Sequence, residues 1–138
     1  MYYIKTKMKN IKFRLLKYLY YFSLFILFVL YLFPGSLIGY LLYGNLGQQP
    51  DFISNPIGTS INHLIFFFYL TTLGLVVRLK YQNFLNSFTF LFSLSILLEL
   101  AHCFIPNRAF EFYDLFANSI GAVIAYLLIN IFVKLKIK

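Results

Sequence analysis

Acidic residues are nearly missing from this chain: four among 138, against twelve lysines and arginines. Charged residues make up 12% of it while 61% is hydrophobic and 22% aromatic, too apolar a balance for one soluble domain. The single cysteine, Cys103, excludes an intrachain disulfide and a zinc knuckle, and leaves helix packing as its expected role. Absent too are a serine elbow, a P-loop, an HExxH pair and a DxxD pair, the signatures that would name a reaction. No internal repeat is visible. A net charge of +8 is of the size that nucleic-acid binders carry. The basic residues, however, sit at the chain ends and beside apolar runs and form no globular basic face, so nucleic acid is not an expected partner.

What the chain does have is long apolar runs. A hydrocarbon core of about 30 Å takes roughly 20 residues of helix. Four windows suit it, at residues 15–33, 61–77, 88–105 and 115–133. Lys17 can extend toward headgroups from within the first, which Pro34-Gly35 stops; Arg78 and Lys80 end the second, Pro106 the third and Lys134 the fourth. The expected fold is an all-α membrane protein, a compact bundle of about four transmembrane helices. A single domain over 15–133 is flanked by a basic N-terminus, 1–14, and a basic tail, 134–138.

Four spans alternate the connections between two sides. Lys5, Lys7, Lys9, Lys12, Arg14, Lys17, Arg78, Lys80, Lys134, Lys136 and Lys138 then share one side, and only Arg108 lies opposite. The positive-inside rule makes the shared side cytoplasmic, with both termini there and Arg108 outside. The first run is long for a signal peptide and no clear small-x-small cleavage site follows it, so it reads as a retained signal anchor. The longest connection, 34–60, is external and rich in glycine and proline. Its stretch Leu37 to Tyr43 is too short to span and suits an interfacial segment anchored by Tyr40 and Tyr43, rather than a lid.

Three of the four acids fall between Glu99 and Gly121, in otherwise lipid-like sequence. Ser95, Glu99 and His102 share one stripe of the third helix; Glu111, Asp114, Asn118 and Gly121 share one of the fourth. Ala117, Gly121 and Ala125 add a small-residue ridge for close helix approach. His63 begins the second span, at the same depth. The candidate pocket is therefore His63, Glu99, His102, Arg108, Asp114 and Asn118, opening outward, with nothing comparable at the inner ends. Each member has a plainer use: Asn118 and Ser95 as interhelical hydrogen-bonders, Asp114 as a helix-start carboxylate, Glu111 as a solvated charge, His63 as a structural histidine, Arg108 as a nonspecific lipid contact. Glu99 is the hardest to dismiss, because an ionisable group within a span costs on the order of 3 kcal/mol and needs Arg108, His102 or a proton as partner.

Glu99, the turn Phe104-Ile105-Pro106-Asn107-Arg108, then Asp114, Asn118 and Gly121 resemble the signature of the VanZ-like family, small multi-helical bacterial membrane proteins. That signature is roughly E-x-x-Q, an apolar-Pro-x-Arg turn, then D-x-x-x-N-x-x-G. His63 matches a histidine on an earlier helix, while Thr59 and Ser60 replace the Asp-Lys pair that usually precedes it and His102 replaces the usual glutamine. The resemblance implies a multi-pass protein of the bacterial cytoplasmic membrane, in a family associated with lowered susceptibility to the glycopeptide teicoplanin and without an assigned reaction.

The leading expectation is a module that binds or modifies an envelope lipid, of the polyprenyl-phosphate or glycan-linked kind, with Arg108 on phosphate and Glu99, Asp114, Asn118 and His63 as further ligand contacts. Whether it is an enzyme stays open; acid-base work on a lipid phosphate would fall to Glu99, His63 or His102. Glu99-x-x-His102 has the spacing of helix-borne metal ligands, completed by His63 or Asp114, but neither a metal nor a cofactor is the expected reading. A bracing role for the same residues and an oligomeric assembly are further alternatives.

Overall fold

The computed structural model describes residues 2–48 and 60–137 and, among them, contains helices and no strand. Five α-helices follow one another: α1 Tyr2–Leu32, α2 Leu37–Tyr43, α3 Ser60–Arg78, α4 Phe88–Ala101 and α5 Phe112–Ile137. Three are long and apolar enough to cross a membrane: α1 within Ile11–Leu32, α3 over its whole length and α5 within Phe112–Leu135.

The third apolar segment in chain order, Phe88–Phe104, is shorter than the other three. Its 14 α-helical residues and three-residue 3₁₀ turn, His102–Phe104, rise about 27 Å together, just under the thickness of a hydrocarbon core. Ser87 starts it, its hydroxyl accepting from the Phe90 N–H. Its far end turns through Pro106 and Asn107, the latter at a left-handed φ of 59° that asparagine tolerates.

Interior side chains of α1, α3 and α4 form the core: Tyr20, Leu24 and Leu27 meet Phe67, Leu70 and Val77, and Leu91, Leu94 and Leu98 close it. The outward faces of α1 and α5 are apolar and exposed, as lipid-facing helices require. Helix α5 lies most intimately along α3. A Cβ at Gly121 would stand 2.4 Å from the Leu64 carbonyl oxygen, so only glycine lets these backbones approach so closely. Its neighbours along the ridge, Ala117 and Ala125, are buried.

The bundle has two unlike ends. At one, Lys17 lies over the Tyr81 ring, Lys80 over Phe13, and the Tyr20 hydroxyl donates to the Leu85 carbonyl. Lys12, Arg14, Arg78 and Lys134 belong to the same end. At the other end the last turn of α1, the start of α3, the end of α4 and the start of α5 converge, and there the polar residues gather. Helix α2 stands beside them, its Ser36 cap accepting from the Gly39 N–H and its last turn closed by Gly44 at φ 68°. Seven residues long, α2 rises only about 10 Å, and Tyr40 and Tyr43 on it are exposed. Residues 49–59 of the 34–60 connection, including Thr59, lie outside the described residues.

Candidate functional site

Four helices each contribute one polar turn to this end, and all of those side chains are buried: Tyr31, Ser60, His63, Ser95, Glu99, His102, Asp114 and Asn118. Such burial is sustainable only where polar atoms find one another.

Asn118, fully buried on α5, is the hub. Its amide nitrogen lies 3.4 Å from the Ser95 carbonyl oxygen and 3.5 Å from Glu99 Oε2 on α4, while its oxygen accepts from the Tyr31 hydroxyl on α1 at 2.9 Å. One amide thus ties three helices. The Ser95 hydroxyl does not join it; it bonds back to the Phe92 carbonyl of its own helix.

Glu99 is completely enclosed. Besides Asn118 it faces His102 Nδ1 at 3.3 Å and accepts from the Glu111 backbone N–H at 3.2 Å. Its partners are therefore an imidazole, an amide and a peptide group, and Arg108 makes no ion pair with it among the described residues. On α5, Asp114 stands in the first turn, where the helix dipole favours a carboxylate. It accepts from the Ser60 hydroxyl at 2.5 Å and faces His63 Nε2 at 3.5 Å. The other nitrogen of His63 is 2.8 Å from the Tyr31 hydroxyl. The Tyr31 ring also stacks on His102 at 5.4 Å, and His102 Nε2 is buried without a hydrogen-bond partner among the described residues.

Arg108 approaches from the turn between α4 and α5. It donates to the Leu30 carbonyl at 2.7 Å and the Phe33 carbonyl at 3.4 Å, capping the open end of α1. Two of its five N–H groups are thereby used, and among the described residues the other three have no partner. Burial moves the guanidinium pKa down, and the negative ends of Tyr31, Glu99 and Asp114 act to raise it. Glu111, by contrast, keeps an exposed side chain. Its pKa is raised by partial burial first and by the like charges of Asp114 and Glu99 second, with His102 pulling the other way.

Beside Arg108 and His63 opens a cavity of about 510 Å³. Its walls are apolar: Leu27 and Leu30 of α1, Leu37 and Leu42 of α2, Phe66 and Tyr69 of α3. Polar groups touch it at Ser36, Asn62, His63 and Arg108. The basic end is not bare either, for Arg78, Gln82, Ser87, Thr89, Tyr126 and Asn130 line a second cavity of about 480 Å³. Those residues come from segments far apart in the chain, so no run of sequence advertised them. Both cavities carry one guanidinium and no carboxylate in their lining, and the first adds the His63 imidazole.

All six residues singled out from sequence lie at this end, but as two groups. His63, Glu99, His102, Asp114 and Asn118 form the enclosed polar cluster; Arg108 stands at its edge, held by α1 and facing the cavity. Sequence reasoning missed Tyr31 and Ser60. Tyr31 is one of twelve tyrosines, unremarkable in an aromatic helix, and Ser60 drew notice only for what it replaces.

An all-helical membrane protein with a buried carboxylate, imidazole and amide cluster at one end is the class these features define. Within that class the VanZ/LLP1 family profile matches residues 2–133, and the chain belongs to this VanZ-like family. No curated protein and no solved structure matches it.

Proposed function

We propose that this VanZ-like protein is a multi-pass protein of the bacterial cytoplasmic membrane that binds an anionic envelope lipid from the outer side, with phosphate on Arg108 and chain in the α1, α2 and α3 cavity. One observation carries the reading. A half-buried guanidinium with three N–H groups uncommitted among the described residues lines an apolar cavity large enough for several lipid methylenes. The charge distribution supports this orientation, with both termini cytoplasmic: Lys12, Arg14, Lys17, Arg78, Lys80 and Lys134 belong to one end and Arg108 to the other. The ligand class is a polyprenyl-phosphate or glycan-linked lipid, and loss of its binding changes glycopeptide susceptibility.

Lipid extracts of the purified protein and of Arg108→Ala test this directly. A phosphate-bearing polyprenyl or glycan lipid retained by the parent and lost from the variant is expected. Identical extracts from two equally folded proteins refute the reading. A second reading, hydrolysis or transfer at that phosphate, draws on the imidazoles and carboxylates gathered beside the cavity. It requires turnover of a labelled envelope lipid that disappears in Glu99→Gln, and fails if the parent never turns lipid over.

A further inference from the structure

The hydrogen bonds around His63 specify which ring nitrogen carries a proton. Asn118 must turn its NH₂ toward the Ser95 carbonyl and Glu99 Oε2, because both only accept. Its Oδ1 therefore faces Tyr31, and the single hydroxyl proton of Tyr31 is committed to it. His63 Nδ1, 2.8 Å from that hydroxyl oxygen, is then the donor of the pair. A neutral imidazole protonated on Nδ1 has a bare lone pair on Nε2. His63, 8% exposed, directs this lone pair at Asp114 Oδ2, 3.5 Å away on a residue 5% exposed. Two acceptors facing each other away from water repel, and a positive species between them removes the conflict.

A second proton on His63 would answer that contact alone. It would leave unexplained why the Glu99 carboxylate converges on the same point: one ligand atom from each of His63, Glu99 and Asp114 lies within 4.8 Å of the other two. We propose that His63 Nε2, an Asp114 oxygen and a Glu99 oxygen bind a divalent cation of the zinc or manganese class.

A tetrahedral ion with bonds of about 2.0–2.2 Å sets its ligand atoms about 3.3–3.6 Å apart. The His63 and Asp114 atoms already have that spacing, and a small shift of a Glu99 oxygen that lies within 4.8 Å of both completes the set. Each ligand is also oriented from outside the set, as metal ligands are. Tyr31 fixes His63, Ser60 fixes Asp114, and Asn118 with the Glu111 N–H fixes Glu99. One imidazole with two carboxylates suits zinc or manganese rather than a thiophilic ion, and three protein ligands leave a coordination position open. His63 borders the cavity, so a phosphate oxygen could take that position. The ion itself does not depend on the lipid, and its binding survives if no lipid is retained.

The test uses the untagged full chain in detergent, stripped with a chelator and titrated with zinc chloride, with manganese chloride in parallel. Mass spectrometry of the metal content should read one ion per chain. His63→Ala and Asp114→Asn should each lower occupancy at least tenfold, while Phe104→Ala, at a 90% exposed position, leaves it unchanged. If either site variant fails to fold, X-ray absorption on the unsubstituted protein should find one histidine nitrogen among oxygen ligands. Metal no higher than in the detergent blank overturns the proposal. So does a bound ion indifferent to both substitutions in folded protein, or a shell without histidine.

Discussion

Removing one oxygen atom, in Tyr31→Phe, tests whether the polar cluster holds the bundle together. The Tyr31 hydroxyl donates to Asn118 and accepts from His63, joining α1 to α5 and α3 through a residue 8% exposed. The ring contacts with His63, Phe67 and His102 are kept, so the change isolates the hydroxyl. Asn118 Oδ1 is left without its donor, a loss of about 1–3 kcal/mol for a buried acceptor. Interhelical hydrogen bonds in membranes, however, average about 0.6 kcal/mol and reach about 1.7. His63 can recover part of its share by moving its proton to Nε2 and donating to Asp114, 3.5 Å away. The expected destabilisation is therefore about 1–2 kcal/mol, read from reversible unfolding in mixed micelles. Because both residues sit in one network, Tyr31→Phe with Asn118→Leu should fall short of the sum of the single changes by more than about 0.5 kcal/mol. Full additivity, or a Tyr31→Phe protein as stable as its parent, would refute the network as drawn.

Gly121→Ala drives a methyl group toward the Leu64 backbone and should destabilise the fold by about 1–3 kcal/mol, whereas Gly47→Ala, facing a side-chain atom at 3.5 Å, should change stability little in the same unfolding assay. Arg108→Lys cannot reproduce the paired donation to Leu30 and Phe33, and should increase hydrogen exchange at the C-terminal turn of α1 while keeping the charge. The raised pKa of Glu111 makes its contribution favour the folded state below the ordinary carboxylate range, and that contribution is lost as pH rises through the raised value. Unfolding of Glu111→Gln between pH 3 and 7, compared with the parent, should therefore lack this decline.

Some features were legible because they are local. The apolar runs specify helices wherever they are placed, and their punctuation, Pro34-Gly35, Arg78 and Pro106, lies within a few residues of the observed ends. The stripe Asp114, Asn118, Gly121 follows from helical period alone, as does Ser95, Glu99, His102. The third apolar run was harder to read. Its length as a string exceeds its length as an α-helix, because His102 to Phe104 tighten into a 3₁₀ turn before Pro106. Arg108 shows the same gap between pattern and placement: its charge suggested a carboxylate partner, and the fold presents it to two carbonyl groups at the end of α1, those of Leu30 and Phe33, instead.

By itself the sequence determined an all-helical chain rich in membrane-length apolar segments, every basic residue but Arg108 set apart from the Glu99–Asp114 acids, and the VanZ-like signature. Those properties depend on residue type and short spacing, which need no partner. The tertiary structure alone decided that Tyr31 and Ser60 complete the polar cluster, that Glu99 meets His102 and Asn118 rather than Arg108, and that a cavity opens beside His63. Interhelical hydrogen-bond partners 19 to 87 residues apart are chosen by which helix faces meet, and that choice rests on shape: Gly121 against Leu64, and the aromatic ring of Tyr31 among His63, Phe67 and His102.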